Sequence, residues 1–432
     1  MNVCPHTVLI WSSRSRITRP YDGPTRHARS TVLPTTSPNS PHEAIDAMIA
    51  RLAPVPTEHV PLSHASGRVL AQTVQSDRPS PAADVSAMDG FALRLADIAL
   101  GTLPIREEVR IGTEPRPLQP GSVTRIVTGA PIPPGADAVI RVEDVREHDD
   151  GVTLDPAAAR ALKPGTSIRR EGENLPQGQP VAEPGVPITA PVAAALACFG
   201  VHKPLVHRKV RVGVLVTGDE LVADDETPTQ WQLRDSNGPT LRALFSQIQW
   251  VEVVAVCRCK DDPHAMYDGL HTLLGSCDLV AMSGGVSMGH RDFVPATLER
   301  VKAQTIFHRV PQRPGRPVLG ALAGRSAVLA LPGNPVSVMV TARRMAIPLL
   351  AKLAGISREH AAPALVRVAN PDERSLDLWW QRLARVTAPG EVELLSTTGS
   401  GDIPAAARSD GFVEIPPGQS GAGPWPFYAW AL

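Results

Sequence analysis

Four segments of the chain carry residue types suited to ligand chemistry, and each follows an apolar run. They are Thr217-Gly218-Asp219-Glu220, Asp261-Asp262, Ser283 to Asp292, and Pro332-Gly333-Asn334. Glycines allow close backbone approach, carboxylates suit a metal or ligand hydroxyls, and helix N-termini suit an anion. Glu220, Asp261 and Asp292 can hold a divalent cation, while Asp262 and Asp292 serve equally well as helix caps. His290 reads better as a surface-loop residue. Ser283-Gly284-Gly285-Val286-Ser287-Met288-Gly289 offers unshielded N–H groups, a nest for phosphate, although a tight turn explains the glycines as well. It is neither a Walker A loop nor the G-x-G-x-x-G dinucleotide fingerprint.

A second set is basic. Arg309, Arg313 and Arg316 lie in one proline-stiffened stretch, His308 to Pro317, which loses little entropy on gripping an anion. A solvated basic loop is the plainer alternative. Earlier in the chain, Asp89 in Ser86-Ala87-Met88-Asp89-Gly90-Phe91-Ala92 and Thr128 in Val127-Thr128-Gly129-Ala130-Pro131 each sit in a tight turn, Asp89 as an Asx-turn former. Arg169-Arg170-Glu171-Gly172-Glu173-Asn174 reads as a charged, solvated loop.

The elements that position these residues fall into regions of different texture. Ser40-Pro41-His42-Glu43 supplies an N-cap and an N1 proline ahead of Ala44, Ile45, Met48, Ile49 and Leu52 at helical spacing. From 53 to 187, short β-like runs (69–74, 109–111, 123–127, 138–142) alternate with Pro/Gly clusters, the texture of small sheets or barrels. Thr189-Ala190-Pro191 then caps an Ala-rich helix ending at Gly200. From 209 to 355, strands predicted at 210–216, 251–257, 279–282, near Phe307 and at 328–331 alternate with helices, the longest running from Pro335 to Leu353. That alternation predicts a mostly parallel, doubly wound sheet, whose ligands bind at the carboxyl ends of the strands. The tail from 362 to 432 reads as a small β-barrel.

Composition narrows the class. The 432 residues contain 43 Lys+Arg against 43 Asp+Glu, so a generic polyanion binder is excluded by charge, and length implies several domains. Aromatics at 4% leave little for base-stacking platforms, which argues against nucleic acid. The 44 prolines double the usual share of about 5%. No apolar run reaches the roughly 18 residues a membrane span needs; the longest, 188–201, reads as a buried helix. Five cysteines, odd in number and without C-x-x-C, imply neither a disulfide framework nor a zinc site and suit the reducing cytoplasm. Residues 1–40, rich in Ser, Thr, Arg and Pro, read as a disordered extension.

Seven segments in order carry a resemblance: SAMDGFA (86–92), IVTGAPIPPGADAVI (126–140), RREGEN (169–174), VTGDEL (216–221), RDSNGPTL (234–241), SGGVSMGHRDF (283–293) and LPGNPVS (331–337). Together they resemble the MoeA family of molybdopterin molybdenumtransferases, to which the E domain of gephyrin is related. The resemblance implies an α/β plus β, multi-domain fold. It reads 1–40 as the extension, 41–78 with 166–207 as a linking domain, 79–165 as a β-rich inserted domain, 208–356 as a doubly wound molybdopterin-binding-type α/β domain, and 357–432 as a C-terminal β-barrel. It further implies a homodimer, contact with other proteins of molybdenum-cofactor synthesis, and insertion of molybdate into adenylylated molybdopterin with Mg²⁺, releasing AMP.

Carried over residue by residue, the resemblance makes Asp89, Thr128, Glu220, Asp261 and Asp292 catalytic, with Glu220 and Asp292 on the metal. It assigns Arg169, Asn174, Ser236, Ser283, Gly284, Gly285, Arg309, Arg313, Arg316, Pro332, Gly333 and Asn334 to substrate. Two departures stand out. Family members often have Asp where Asn174 stands, and K-x-x-x-K-P-G-K-P where Arg309, Arg313 and Arg316 replace all three lysines; charge is kept, but Arg is bulkier and forked. A non-catalytic scaffold of the gephyrin type and a nucleotide or phosphosugar hydrolase are the alternatives. Retention of Asp89, Thr128, Glu220 and Asp292 argues against the first, and the β-rich half is left unexplained by the second.

Overall fold

A computed structural model describes residues 9–10, 38–223, 225–285, 293–357 and 363–432. The expectation of a disordered extension over 1–40 falls almost wholly outside these residues, as do Asp292 and His290. The chain divides into two compact units, one of 73–183 with 191–202, the other of 1–72, 184–190 and 203–432.

The smaller unit is built on a four-stranded sheet of β1 (Gly90–Leu93), β2 (Ile105–Glu108), β3 (Val123–Ile126) and β4 (Ala138–Arg141), in the order β4-β1-β3-β2. Strand alternation sends Phe91 and Leu93 into one core with Val123 and Ile140, and Ala92 into another with Val109, Ile126 and Val139. The strand predicted over 109–111 is absent. Pairing stops at Glu108 because Gly112 turns the chain at φ +83° and leaves Ile111 exposed.

In the larger unit the helix Pro41–Ile49 begins as its sequence predicts. Ser40 Oγ accepts the Glu43 N–H at 3.1 Å, and Glu43 accepts the Asn39 N–H at 2.8 Å. The central sheet contains β5 (Val210–Thr217), β6 (Val251–Cys259), β7 (Leu279–Ser283), β8 (Gln304–His308), β9 (Leu319–Ala323) and β10 (Ser326–Leu331). Their order is β6-β5-β7-β10-β9-β8, with Leu9–Ile10 as a further two-residue strand beside β6. The run β6-β5-β7-β10 is parallel, as predicted, whereas β9 pairs antiparallel with both β10 and β8.

Strand β9 has no counterpart in the sequence reading, because glycine interrupts its short apolar run. The structure supplies the reason for that glycine: a Cβ at Gly320 would stand 2.3 Å from the Phe307 ring. Both faces of the sheet are buried. Val212, Val214 and Val216 face one core and Leu215 the other, as two helical layers require.

Helices α1 (Asn237–Ser246), α2 (Pro263–Leu274), α3 (Val294–Arg300) and α4 (Pro335–Thr341) follow the parallel strands. The last continues through a π-helical turn, Ala342–Ala346, into Ile347–Leu353.

Five C-terminal strands, β11 (Ala364–Val368), β12 (Trp379–Ala388), β13 (Glu391–Leu394), β14 (Gly411–Ile415) and β15 (Trp425–Ala429), close into a barrel. Closure comes from β12 pairing with both β13 and β14. Val366, Val392, Val413 and Trp425 fill its interior. The segment Gln312–Arg313 of the basic loop pairs in parallel with Trp379 and Trp380, which ties that loop to the barrel.

Candidate functional site

A cleft of about 370 Å³ opens at the carboxyl ends of the parallel strands in the larger unit. Its wall includes Thr217, Glu220, Asp261, Gly284, Gly285 and Asn334, together with Ser236, Pro332 and Gly333. The loops are tied to each other. Asp219 accepts the Asp261 N–H at 3.2 Å, and the Glu220 carbonyl accepts the Leu233 N–H at 2.8 Å. Glu220 and Asp261 therefore stand on one wall, while Asp292 lies outside the described residues. Asp262 is a helix cap, accepting the His264 and Ala265 N–H groups at 3.0 and 2.9 Å.

Gly284 and Gly285 hold φ of +100° and +68°, and a Cβ on Gly284 would stand 2.5 Å from the Thr217 carbonyl oxygen. Only glycine brings this backbone so close to β5. Ser283 is fully buried, with its hydroxyl 3.4 Å from the Pro332 carbonyl. Asn334 Nδ2 donates to Ser400 Oγ at 2.8 Å, which holds the start of α4 against the barrel segment. Ser236 makes no side-chain cap; Asp235 does that work for α1, accepting the Asn237 and Gly238 N–H groups at 2.9 and 3.0 Å.

Asn237 was not singled out by sequence reasoning, although it stands inside the segment RDSNGPTL. Its Nδ2 donates to Ser283 Oγ at 2.9 Å and to the Gly333 carbonyl at 2.8 Å, joining three of the cleft's loops.

The three arginines of the basic loop diverge. Arg313 lines a second pocket of about 520 Å³ with Asp372, Arg374, Trp380, Arg382 and Ser400. There the Arg382 guanidinium lies 4.2 Å from the Trp380 ring centroid and 3.1 Å from Asp372. Arg309 adopts φ +68° and donates its backbone N–H to Val318, while the Arg316 carbonyl accepts from Val310 N; neither side chain lines the two pockets. Arg374 and Arg382 come from the barrel, where no local spacing marks them.

In the smaller unit, Asp89 and Thr128 meet. Asp89 Oδ1 accepts the Thr128 N–H at 2.6 Å and its hydroxyl at 2.8 Å, and these two bonds hold the exposed carboxyl below the usual carboxylate range. The strand Ile168–Arg169 pairs with Val85–Ser86, immediately before the Asp89 turn. Arg169 bonds Glu173 at 3.1 Å and also Asn174, whose N–H donates to the Ser80 carbonyl at 2.8 Å. The charged loop is thus paired, partly within itself and partly through Arg170 and the Glu171 N–H to Asp84.

An α/β domain with a polar, glycine-lined cleft at its strand ends, joined to a β-rich unit and a closed five-stranded barrel, defines a multidomain, small-molecule-processing class. Comparison with known proteins narrows this. Residues 39–200 match the family description "MoeA N-terminal region (domain I and II)" and residues 213–352 match "Probable molybdopterin binding domain". A molybdopterin molybdenumtransferase of Synechococcus elongatus is 35% identical over 393 residues, covering 87% of this chain and 95% of that one. The protein of the same description from Haemophilus influenzae is 33% identical over 369 residues, 84% and 90% of the two chains. The fold is shared with the crystal structure of a molybdopterin biosynthesis MoeA protein from Pyrococcus horikoshii OT3, at 24% identity and a TM-score of 0.72 over 90% of this chain and 97% of that one. The chain belongs to the MoeA family of molybdopterin molybdenumtransferases.

Proposed function

We propose that this protein inserts molybdate into adenylylated molybdopterin, yielding molybdenum cofactor and AMP. The observation that carries the reading is the cleft in which Glu220, Asp261, Gly284 and Gly285 share one wall at the strand ends. Left-handed glycines present N–H groups to phosphate, and the carboxylates stand beside them. The two dithiolene thiols bind molybdenum as thiolates, their two protons leave with one oxo oxygen of molybdate as water, and hydrolysis of the anhydride frees AMP. No protein nucleophile is needed; the chain's part is to hold the partners in register.

Mg²⁺ fits the donor chemistry of the cleft, because it takes one or two carboxylates alongside phosphate oxygens. Glu220 and Asp261 would hold it, and it would supply Lewis-acid polarisation of the phosphate. Molybdate, a tetrahedral dianion, suits the pocket of Arg313, Arg374 and Arg382, where three guanidinium groups face one carboxylate, Asp372. The family resemblance also supports a homodimer, contact with other proteins of cofactor synthesis and a cytoplasmic location. Sedimentation of the purified chain tests the first of these. Among the described residues, no helix is long and apolar enough to cross a membrane.

The test is AMP release from adenylylated molybdopterin, with and without molybdate, by the wild type and by Asp89→Asn. Molybdate-dependent release that falls at least about tenfold in the variant supports the reading. A folded wild-type protein that releases no AMP, beside an active relative in the same assay, sinks it.

A further inference from the structure

Two residues in the wall of the cleft each carry a buried side-chain oxygen that has no partner among the described residues: Thr217 Oγ1 and Asn237 Oδ1. Buried polar atoms are nearly always paired, so an unpaired one calls for a reason. For Asn237 the orientation is set by its neighbours. Nδ2 donates to Ser283 Oγ and to the Gly333 carbonyl, and a flipped amide would turn Oδ1 against that carbonyl, acceptor to acceptor. Oδ1 is therefore the free end, and it asks for a donor. Thr217, 5% exposed at the end of β5, has a hydroxyl that can donate or accept. A Cβ on Gly284 would stand 2.6 Å from that hydroxyl, so glycine alone leaves it room.

We propose that Thr217 and Asn237 read the ribose hydroxyls of the nucleotide portion of the substrate. A phosphate oxygen brings no donor to Asn237. A ribose diol brings two vicinal hydroxyls, each both donor and acceptor, on the same sugar whose 5′ oxygen carries the phosphate that the neighbouring Gly284-Gly285 turn is shaped to receive. These are positioning residues, and the inference rests on the reading that places an adenylate in this cleft.

The test is calorimetric titration of the full chain with AMP, 2′-deoxy-AMP and 3′-deoxy-AMP. The wild type prefers AMP over at least one deoxy analogue by about three- to tenfold, the worth of one neutral hydrogen bond. Thr217→Val and Asn237→Ala each abolish or reduce that preference. Thr217→Val also guards against a folding artefact. Removing an unpaired buried hydroxyl at constant shape leaves the ligand-free melting temperature unchanged or raises it, whereas removing a structural hydrogen bond lowers it. Equal binding of all three nucleotides by the wild type overturns this inference alone. So does a preference that survives both variants, or a lowered ligand-free melting temperature in Thr217→Val. Failure of the folded protein to bind any of the three overturns the adenylate reading beneath it as well.

Discussion

Asp89 Oδ1 takes two hydrogen bonds from one residue, Thr128, whose backbone N–H and hydroxyl both point at it from the turn after β3. Both bonds favour the ionised carboxyl, the backbone one most, so its folded-state value lies below the unfolded one. Their contribution is present above the ordinary carboxylate range and is lost as pH falls through the depressed value. Thr128→Val keeps the backbone donor and removes the hydroxyl. The Asp89 midpoint, followed by carboxyl-carbon NMR, moves up part of the way toward its ordinary value. A midpoint that does not move shows that the hydroxyl contributes nothing.

Arg313 predicts an effect on molybdate alone. Removal of one charge-assisted contact to a dianion weakens it by about 10- to 100-fold. Arg313→Ala therefore raises the KM for molybdate by that order, with little change in kcat, and Arg313→Lys recovers part of the loss. Measured AMP release against molybdate concentration decides; an unchanged KM removes Arg313 from the anion site.

The π-helical turn carries a buried ion pair to the barrel. Arg344 donates to both oxygens of Glu414 on β14, at 2.9 and 3.2 Å, and Gln381 adds a bond at 3.2 Å. Arg344→Met leaves a carboxylate that is only 3% exposed without its cation, which destabilises the protein by about 3–5 kcal/mol. Arg344→Met with Glu414→Leu restores most of that. Urea unfolding of the single and double variants measures both; equal losses would deny the coupling.

Cys257, Cys259 and Cys277 lie in the core beneath the sheet, and burial pushes their thiols up, Cys259 to about 12. The thiolate is the reactive form, so raising the value makes these groups inert near neutral pH. Native alkylation at pH 8, read by peptide mass spectrometry, labels the exposed Cys198 and spares these three until denaturant is added. Rapid native labelling of any of the three contradicts the burial.

Much of this protein is legible in one dimension because local chemistry decides it. Ser40 and Asp262 cap their helices through bonds to residues three positions away or fewer. The valines of β5 announce a strand buried on both faces, and the loops that follow β5, β6, β7 and β10 do gather in one cleft. Motif order carries the family. What local chemistry does not encode is partnership across long stretches of chain. Strand β9 needs Phe307 above its glycine, and the barrel closes only when Trp380 finds Ile415. Arg313 leaves Arg309 and Arg316 to join Arg374 and Arg382, because pairing with Trp379 and Trp380 turns the loop toward the barrel. Asn237 becomes the hub of the cleft only when Ser283 and Gly333 arrive beside it. Sequence by itself determined most of the elements, the caps at Ser40 and Asp262 and the family, since these rest on near neighbours and side-chain period. Tertiary structure alone decided which cations share a pocket and which buried oxygens are left for a ligand, since packing, not spacing, brings distant atoms within hydrogen-bond reach.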